Sequence, residues 1–471
     1  MTDIHLGVPS ARSAGRGFRA YSARHLDTLV QRAGLPPEER LAVRAVATVL
    51  PFRTNSYVVE HLIDWDAAPD DPIYRLVFPQ PDMLPEADVR RLADMIDGGE
   101  PAAGLHAAAH EIRMRLNPHP AGQLLLNPPS LQGRPLPGLQ HKYPETVLFF
   151  PRQGQTCHAY CSYCFRWAQF VDEPDLKMAT DDIGTLVAYL REHPEVTSVL
   201  ITGGDPLIMG DAVLRRYLEP LIDPRNGLDH IESIRLGTKS LAYWPQRFVT
   251  DPDADGTLRL FGEVIASGRN LAVMAHFSHP RELEPPVLAE AVRRIRDTGA
   301  VIRTQAPLIR SINDDPAAWR EMWRTQVRMG MIPYYMFVER DTGPQDYFAV
   351  PLARGYDIFR QAYQGVSGLA RTVRGPSMSA TPGKVCVDGV TEVAGIKVFV
   401  LHMIQARDPS LVGSPFFARF DPDACWLTDL EPVFADRFPF EPGRYETVPD
   451  ELPGLWPSEP DEPGELMVPA I

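Results

Sequence analysis

Between residues 146 and 363 the sequence alternates a short apolar run with an amphipathic helical stretch, six times in succession. Such a repeat predicts a parallel sheet, because each helix carries the chain back to start the next strand from the same end. Eight units would close a barrel, so six predict an α/β fold with a partial (βα)6 TIM-like barrel. The predicted strands are 147–150, 198–202, 231–236, 271–276, 301–308 and 332–338. The predicted helices begin at Thr180, Asp211, Asp255, Pro286, Pro316 and Leu352.

The regions on either side of this repeat differ from it. Two helical segments are predicted before it, over 22–33 and after Pro36, where proline and the following glutamates suit a first helical turn. A proline- and glycine-rich stretch over 117–140 is typical of a linker. We therefore expect an N-terminal helical domain with its linker at 1–140, the barrel at 141–375, and a C-terminal accessory segment of irregular pattern at 376–471.

Charge and cysteine content narrow the class of protein. A net charge of −14 argues against a nucleic acid or an anionic membrane as partner, since both require a basic surface. The sequence contains no run of about 20 apolar residues, so we expect no membrane span. The first residues lack the apolar core of a secretory signal. Five cysteines, three of them within eight residues, suit a reducing compartment and a metal site. We expect a cytoplasmic protein.

Cys157, Cys161 and Cys164 follow the first predicted strand at C-x3-C-x2-C spacing. A [4Fe–4S] cluster usually takes four thiolates, so three would leave one iron open to a ligand. Zinc with His158 as fourth ligand is an alternative, although structural zinc usually pairs its ligands in separated knuckles. Three unrelated buried cysteines are another, because free cysteine is common in protein cores. The spacing and the position after a strand favour the cluster.

With Phe165 after its last cysteine, this motif resembles the signature of the radical S-adenosylmethionine superfamily. The resemblance implies a partial (βα)6 barrel, a [4Fe–4S] cluster, and S-adenosylmethionine bound to the open iron. It also implies an electron donor such as flavodoxin or ferredoxin, and a 5′-deoxyadenosyl radical that takes hydrogen from the substrate. The cofactor would carry the chemistry, while the protein positions it and excludes water.

A second motif, Gly203-Gly204-Asp205, follows the second predicted strand. Glycines let the backbone approach a ligand, and a carboxylate accepts hydrogen bonds from an ammonium group. The superfamily has a similar turn here, which holds the methionine amino group of S-adenosylmethionine. An ordinary strand-to-helix turn is the alternative.

Further segments resemble the lysine 2,3-aminomutase family, in order, over about residues 48–385. By this resemblance Arg166 would bind the substrate carboxylate, a role that suits the bidentate guanidinium, while His276 and Gln305 would line the S-adenosylmethionine site. The alternatives are a surface arginine and two scaffold residues. The matching segments are 75–81, 141–144, 237–240, 244–247, 276–280, 305–314 and 333–335.

That family also binds pyridoxal phosphate through a lysine that follows a glycine run. The corresponding residue is Lys384, where the run is reduced to Gly383. The family's phosphate-binding basic positions fall at Lys142, beside Tyr143, and at Thr146, where the charge is lost. Loss of one cation weakens a phosphate site without abolishing it. An exposed Lys384 without cofactor is the alternative.

The predicted substrate pocket departs from the lysine-specific members. Where the family has the first of two aspartates that face the substrate ammonium, this chain has Arg340, followed by Asp341. A buried arginine would repel an ammonium group, so lysine is not the expected substrate unless Asp341 neutralises it. The family's zinc-binding cysteines are not matched by Cys386 and Cys425, so we expect no zinc.

The sequence therefore predicts a radical enzyme, with an amino acid or related carboxylate as substrate and homo-oligomer formation left open. The first hypothesis is an aminomutase that acts on an acidic or neutral amino acid with pyridoxal phosphate. A second is an epimerase, dehydratase or other rearrangement enzyme without pyridoxal phosphate. A third is a non-catalytic iron–sulfur or zinc protein.

Overall fold

The computed structural model describes residues 17–441, in which 15 strands form one large sheet and two small ladders. The strands are β1 (Ala20–Ser22), β2 (Arg53–Asn55), β3 (Ser130–Leu131), β4 (Arg134–Pro135), β5 (Leu139–Tyr143), β6 (Thr146–Phe149), β7 (Ser198–Ile201), β8 (Ser233–Thr238), β9 (Asn270–His276), β10 (Val301–Leu308), β11 (Ile332–Val338), β12 (Arg374–Ser379), β13 (Gly383–Val393), β14 (Ile396–Ala406) and β15 (Pro415–Arg419). β1 pairs with β2 and β3 with β4, and the other eleven strands form the large sheet.

The large sheet follows chain order from β5 to β15. Neighbouring strands from β6 to β12 pair in parallel, whereas β5 and the three strands after β12 pair antiparallel. The six predicted strands are β6 to β11, and no predicted end is wrong by more than two residues. The mixed α/β class is therefore confirmed.

Helices connect the parallel strands as the repeat predicts. α6 begins after Asp182, whose carboxylate accepts a hydrogen bond from the Thr185 amide at 2.9 Å, and α11 begins after Asp315 in the same way. The helices are α1 (Leu26–Val30), α2 (Pro37–Val49), α3 (Pro72–Val77), α4 (Glu86–Asp97), α5 (Ala102–Arg115), α6 (Ile183–Glu192), α7 (Asp211–Ile222), α8 (Ser240–Tyr243), α9 (Ala254–Ala266), α10 (Pro286–Asp297), α11 (Pro316–Arg328), α12 (Gln345–Phe348) and α13 (Leu352–Gln364). None of the helices within residues 17–441 is long and apolar enough to cross a bilayer.

The first predicted helix, over 22–33, is only partly correct. Its start is used by β1, which pairs with β2, and the α-helix is limited to the five residues of α1 between short 3-10 turns. The Ser22 amide donates to His25 Nδ1 at 3.1 Å, which favours a tight turn there. The second predicted helix is α2, with Pro37 in its first turn.

The irregular pattern expected after residue 375 is wrong. β12 to β15 extend the sheet, and β13 and β14 form a hairpin of two 11-residue strands. Alternate side chains such as Val385, Val387, Phe399 and Leu401 are buried in a separate apolar cluster beneath these strands. Bulges in the β13–β14 register break the alternation that would mark a strand.

The N-terminal helices share a buried apolar cluster with the parallel sheet. Val43 and Val46 of α2 belong to the same buried apolar cluster as Val147 and Phe149 of β6. At the far edge, Lys142 of β5 donates a hydrogen bond to the carbonyl of Ala380, between β12 and β13. The sheet thus curves enough to bring its first strand against the turn that opens the C-terminal hairpin.

Candidate active site

A cavity of about 320 Å³ opens at the carboxyl ends of the parallel strands. Loops that follow β6, β7, β8 and β11 contribute to its wall, together with side chains from β9, β10 and β13. The predicted site residues that line it are Lys142, Tyr143, Cys157, Cys161, Cys164, Arg166, Gly203, Gly204, Asp205, His276, Gln305, Arg340 and Lys384. Asp341 is the predicted site residue that does not line it.

The cysteine loop after β6 is held by the N-terminal region. The Tyr160 amide donates to the Arg53 carbonyl at 2.8 Å, and the Ser162 amide donates to the Leu76 carbonyl at 2.9 Å. Asn55, fully buried, donates to the carbonyls of His158 and Tyr243 at 3.1 and 3.0 Å. Because these bonds fix the backbone, the loop has little freedom to turn its thiols away from the cavity.

The three thiols fit an iron–sulfur cluster. Cys157, Cys161 and Cys164 are free thiols that face one cavity. Burial raises the pKa of each, and the neighbouring thiols raise it further for Cys157 and Cys164. A cationic centre would relieve this penalty, since thiolates are the form that binds iron.

His158 is not placed as a fourth ligand. Its Nδ1 lies 3.1 Å from Ser240 Oγ, and neither residue lines the cavity. Burial lowers the pKa of His158 to about 3, so the ring is neutral. The zinc alternative for this loop therefore loses the ligand on which it depended.

The turn after β7 packs directly on the cysteine loop. A Cβ on Gly204 would overlap the backbone of Thr156, and the Asp205 amide donates to the Thr156 carbonyl at 2.8 Å. The Asp205 carboxylate accepts bonds from Thr238 Oγ1 at 2.8 Å and from Ser240 Oγ at 3.0 Å. Asp205 thus ties the turns after β7 and β8 together, a role that the sequence alone did not indicate.

His276 and Gln305 lie side by side at the ends of β9 and β10. His276 Nε2 is 2.7 Å from Gln305 Nε2, so His276 accepts this hydrogen bond through an unprotonated nitrogen. Burial, and secondly Lys239, lower the pKa of His276 to about 3, which agrees with a neutral ring. The pair offers neutral polar groups to a ligand beside the cysteines.

Lys384 points into the same cavity from β13. Its Nζ lies 3.2 Å from Gln405 Oε1 and 4.3 Å from the centre of the Tyr335 ring. Burial, and secondly the positive charges of Arg235 and Arg374, lower the pKa of Lys384 to about 7. Lys384 therefore lines the cavity and is not an exposed surface lysine.

Lys142 and Tyr143 of β5 close the cavity near Lys384. Burial lowers the pKa of Lys142 to about 6, with smaller contributions from the positive charges of Arg340, Arg407 and Lys384. Burial also raises the pKa of Tyr143, so its hydroxyl remains protonated. Basic side chains that burial and mutual repulsion drive toward their neutral forms would regain their charge beside an anion, so the cavity favours anionic ligands.

Arg166 follows the cysteine motif and Arg340 follows β11, and both residues line the cavity. Both guanidinium groups lie over the Phe165 ring, at 5.0 and 4.9 Å. Within residues 17–441, Arg166 Nη1 and Arg340 Nε are buried without a hydrogen-bond partner. Burial lowers the pKa of Arg166 to about 9, so it stays charged at neutral pH. Such unpaired buried donors are uncommon in native proteins.

Asp341 contacts the N-terminal region, where the side-chain amide of Asn117 donates to its main-chain carbonyl at 2.6 Å and to its Oδ2 at 3.5 Å. Its charge still favours the protonated form of Arg340, and Arg340 in turn opposes the rise that burial causes in the Asp341 pKa. No direct bond joins the two side chains in the described part of the chain. Asp341 therefore does not replace Arg340 at the cavity surface.

Two cavity residues were missed by sequence reasoning. Arg235 lies in the middle of β8, and its Nη2 is 3.4 Å from Thr146 Oγ1. Glu339 directly follows β11, beside Arg340, and burial raises its pKa well above the ordinary value, which favours the neutral acid. The available signal was a charged residue inside or at the end of an otherwise apolar strand.

Comparisons with known proteins come from sequence and from structure. A protein of Aquifex aeolicus named "Putative L-lysine 2,3-aminomutase" is 30% identical over 402 residues, which cover 85% of this chain and 93% of that one. A glutamate 2,3-aminomutase of Clostridioides difficile is 26% identical over 232 residues, 49% of this chain and 51% of the relative.

An L-lysine 2,3-aminomutase of Fusobacterium nucleatum is 29% identical over 236 residues, about half of each chain. Among solved structures, SuiB of Streptococcus suis bound to the precursor peptide SuiA matches with a TM-score of 0.34 and 12% identity, over 58% of each chain. That structural likeness is too low to carry an argument. No protein-family model matches the chain.

Proposed function

Because this chain belongs to the lysine 2,3-aminomutase branch of the radical S-adenosylmethionine enzymes, we propose that it moves an amino group within an acidic amino acid. The branch consists of isomerases, and the family implies a [4Fe–4S] cluster and S-adenosylmethionine. The choice of an acidic substrate rests on one observation. Arg166, which is buried, and Arg340, which is partly buried, both line the cavity, and each has an N–H group without a hydrogen-bond partner in the described part of the chain.

Two anionic groups on one small molecule would satisfy both arginines. An arginine left buried without an anion costs several kcal/mol or so of desolvation, and an anionic ligand recovers much of this. Glutamate and aspartate carry two carboxylates, whereas lysine would place an ammonium group against Arg340. Arg166 would bind the α-carboxylate and Arg340 the side-chain carboxylate.

Cys157, Cys161 and Cys164 would hold the cluster. When bound, the cluster supplies the electron, received from a flavodoxin or ferredoxin, that cleaves S-adenosylmethionine and so generates the radical that takes hydrogen from the substrate. His276 and Gln305 would contact the S-adenosylmethionine, and the Gly203–Gly204 turn would keep the cysteine loop in place. The aromatic and aliphatic wall of the cavity would exclude water.

The residues around Lys384 fit pyridoxal phosphate. Its amine faces an aromatic ring, Tyr335, and has no carboxylate partner among the described residues. Lys142 and Arg235 could bind the phosphate, and Arg235 bonds the side chain of Thr146, where the sequence lacked a cation. Arg235 Nε is buried with no partner within 17–441, as expected for a residue that binds an anion. When bound, this cofactor supplies the aldehyde that holds the migrating amino group.

The fold is proposed to be a partial barrel. Six consecutive βα units, β6 to β11 with their helices, line the cavity with their carboxyl ends, and the β5 edge approaches the C-terminal hairpin through Lys142. Boundaries at 1–140, 141–375 and 376–471 remain our proposal for its domains. The shared core of α2 and β6 indicates that the first two pack as one body.

Ligand binding tests the substrate assignment. Binding of glutamate, aspartate and lysine to the cluster-loaded enzyme is measured anaerobically, with S-adenosylmethionine and pyridoxal phosphate present and without reductant. The wild type should prefer an acidic amino acid. Arg340→Ala should lose about 2–5 kcal/mol of that binding, because the substrate carboxylate is left unpaired in a buried site.

Arg259→Ala, which alters an exposed arginine of α9, is the matched control and should bind as the wild type does. Equal binding of lysine and glutamate by the wild type, unchanged in Arg340→Ala, would contradict the proposal. Turnover without bound pyridoxal phosphate would favour instead an epimerase, dehydratase or other rearrangement enzyme.

A further inference from the structure

Three metal-binding side chains meet on the β13–β14 hairpin, apart from the cysteine loop. Cys386 and Asp388 belong to β13 and His402 to β14. One ligand atom from each lies within 4.8 Å of the other two. None of the three lines the cavity, so the function proposed above leaves them unused.

The strand register explains why they meet. Cys386 pairs directly with His402, and side chains of directly paired residues lie on the same face of a sheet. Asp388 is the extra residue of a bulge, since Val387 pairs with Leu401 and Gly389 with Val400. The bulge leaves Asp388 free to turn toward the pair, and its Oδ2 lies 2.5 Å from His402 Nδ1.

A fourth residue on the other side of Cys386 points to a ligand at this place. Ser377 of β12 pairs directly with Cys386, so Ser377, Cys386 and His402 form a row across three strands. Ser377 is fully buried, and its Oγ has no hydrogen-bond partner in the described part of the chain. A buried hydroxyl without a partner is costly, and a water molecule on a metal ion would provide one.

The surroundings of Cys386 favour its thiolate only in part. Burial and the Asp388 carboxylate raise the pKa of Cys386, whereas the Gly375 amide and Arg374 lower it. A thiol and a carboxylate this close repel each other once both are ionised. A divalent cation between them removes the repulsion and stabilises both anions.

We propose that Cys386, Asp388 and His402 bind a divalent metal ion of the zinc type. One sulfur, one imidazole nitrogen and one carboxylate oxygen are the ligands that zinc takes in tetrahedral sites. A water molecule near Ser377 completes the coordination. Cys386 is 5% exposed, while the side chains of Asp388 and His402 are 39% and 30% exposed, so the ion can enter from the open side of the hairpin.

The ion would fasten β13 to β14 next to the cavity. Cys386 lies two residues after Lys384, and Gln405, which contacts the Lys384 amine, lies three residues after His402. A metal bridge between the strands would hold these two side chains at a constant distance. The expectation of no zinc rested on Cys386 and Cys425 not matching the family's zinc-binding cysteines, whereas this set combines Cys386 with Asp388 and His402.

Zinc content measures the site directly. The full-length enzyme is loaded with its iron–sulfur cluster anaerobically, incubated with zinc, and passed over a desalting column, and zinc and iron are counted in the same sample. Iron then occupies the cluster thiols, so zinc reports other sites. The wild type should retain one zinc per chain, and Cys386→Ala and His402→Ala should lose it with their iron unchanged.

Cys425→Ala, which removes the other cysteine outside the cluster loop, is the matched control and should keep the zinc. Asp388→Asn is a second test and should also reduce the zinc retained. The Asp388 side chain is partly exposed on a bulge, so it can be changed with little risk to folding. Added zinc should raise the thermal unfolding temperature of the wild type and not that of His402→Ala. A wild type that retains no zinc, or a His402→Ala that retains as much as the wild type, would overturn the proposal.

Discussion

Lys384 shows how burial changes the chemistry of a side chain that is usually found in solvent. Its amine lies over the Tyr335 ring and has no carboxylate partner among the described residues, while Arg235 and Arg374 add positive charge nearby. Burial, and secondly the positive charges of Arg235 and Arg374, disfavour the ammonium form, and the pKa of Lys384 falls to about 7. A neutral amine is a nucleophile toward an aldehyde, which makes this residue suitable for holding pyridoxal phosphate.

We expect borohydride to fix pyridoxal phosphate on Lys384. The wild type, incubated with the cofactor and reduced, should carry one phosphopyridoxyl group, located by peptide mass spectrometry on the peptide that contains Lys384. Lys384→Arg should carry none, since arginine keeps the charge but cannot form the bond.

Lys397→Arg changes an exposed lysine of the same hairpin and should label as the wild type does. Labelling at Lys142 in place of Lys384, or equal labelling of Lys384→Arg, would contradict the assignment.

At the scale of elements, the loop that carries the cysteines is held by two other parts of the fold. The N-terminal region bonds its backbone through Arg53, Asn55 and Leu76, and the turn after β7 packs against Thr156. A side chain at Gly204 would overlap the Thr156 backbone, which cannot move without shifting Cys157. The glycine is therefore required by the contact between two loops, before any ligand is considered.

Gly204→Ala should displace the cysteine loop and reduce the iron bound per chain. The added methyl group meets backbone rather than a flexible side chain, so overpacking should also cost about 1–3 kcal/mol of unfolding free energy. Iron content after reconstitution and denaturant unfolding measure the two effects.

Gly262→Ala is the control, because its Cβ would meet nothing within 4 Å. Gly262 lies inside α9, where alanine is preferred by about 0.5–1 kcal/mol, so this variant should keep its iron and gain stability. Full iron loading in Gly204→Ala would show that the two loops do not depend on each other.

At the scale of the whole molecule, the N-terminal helices and the parallel sheet share one buried apolar cluster. Val43 and Val46 of α2 and Phe149 of β6 belong to it, whereas Phe399 and Leu401 of β14 belong to a second cluster under the C-terminal hairpin. Buried apolar area shared by two regions makes their unfolding cooperative. The hairpin, with its own cluster, has less reason to unfold with the rest.

Native-state hydrogen exchange should therefore give α2 the same opening free energy as β8 and β9, within about 1 kcal/mol. The β14 amides are expected to open at a lower free energy, because they belong to the smaller cluster. Mass spectrometry of peptides from each element measures this. A much lower opening free energy for the α2 amides than for the β8 amides would show that the N-terminal region is an independent unit.

Local patterns in the sequence were enough for the parallel sheet and for the cysteine motif. The alternation of apolar runs and amphipathic helices depends on residues close in the chain, so β6 to β11 were predicted with ends correct to two residues. The C-x3-C-x2-C spacing needs only eight residues to be recognised. Local periodicity carries this information because strands and helices bury one face at a fixed repeat.

Convergence of distant residues was decided by tertiary packing. The sequence did not indicate that Arg235 bonds Thr146 or that His158 contacts Ser240. Nor did it indicate that Arg340 lines the cavity while Asp341 does not. The strands from β12 onward were missed, and bulges interrupt the alternation of the longest two, β13 and β14. Which side chains share a cavity depends on the register of strands far apart in the chain, and a shift of one residue reverses the face on which each lies.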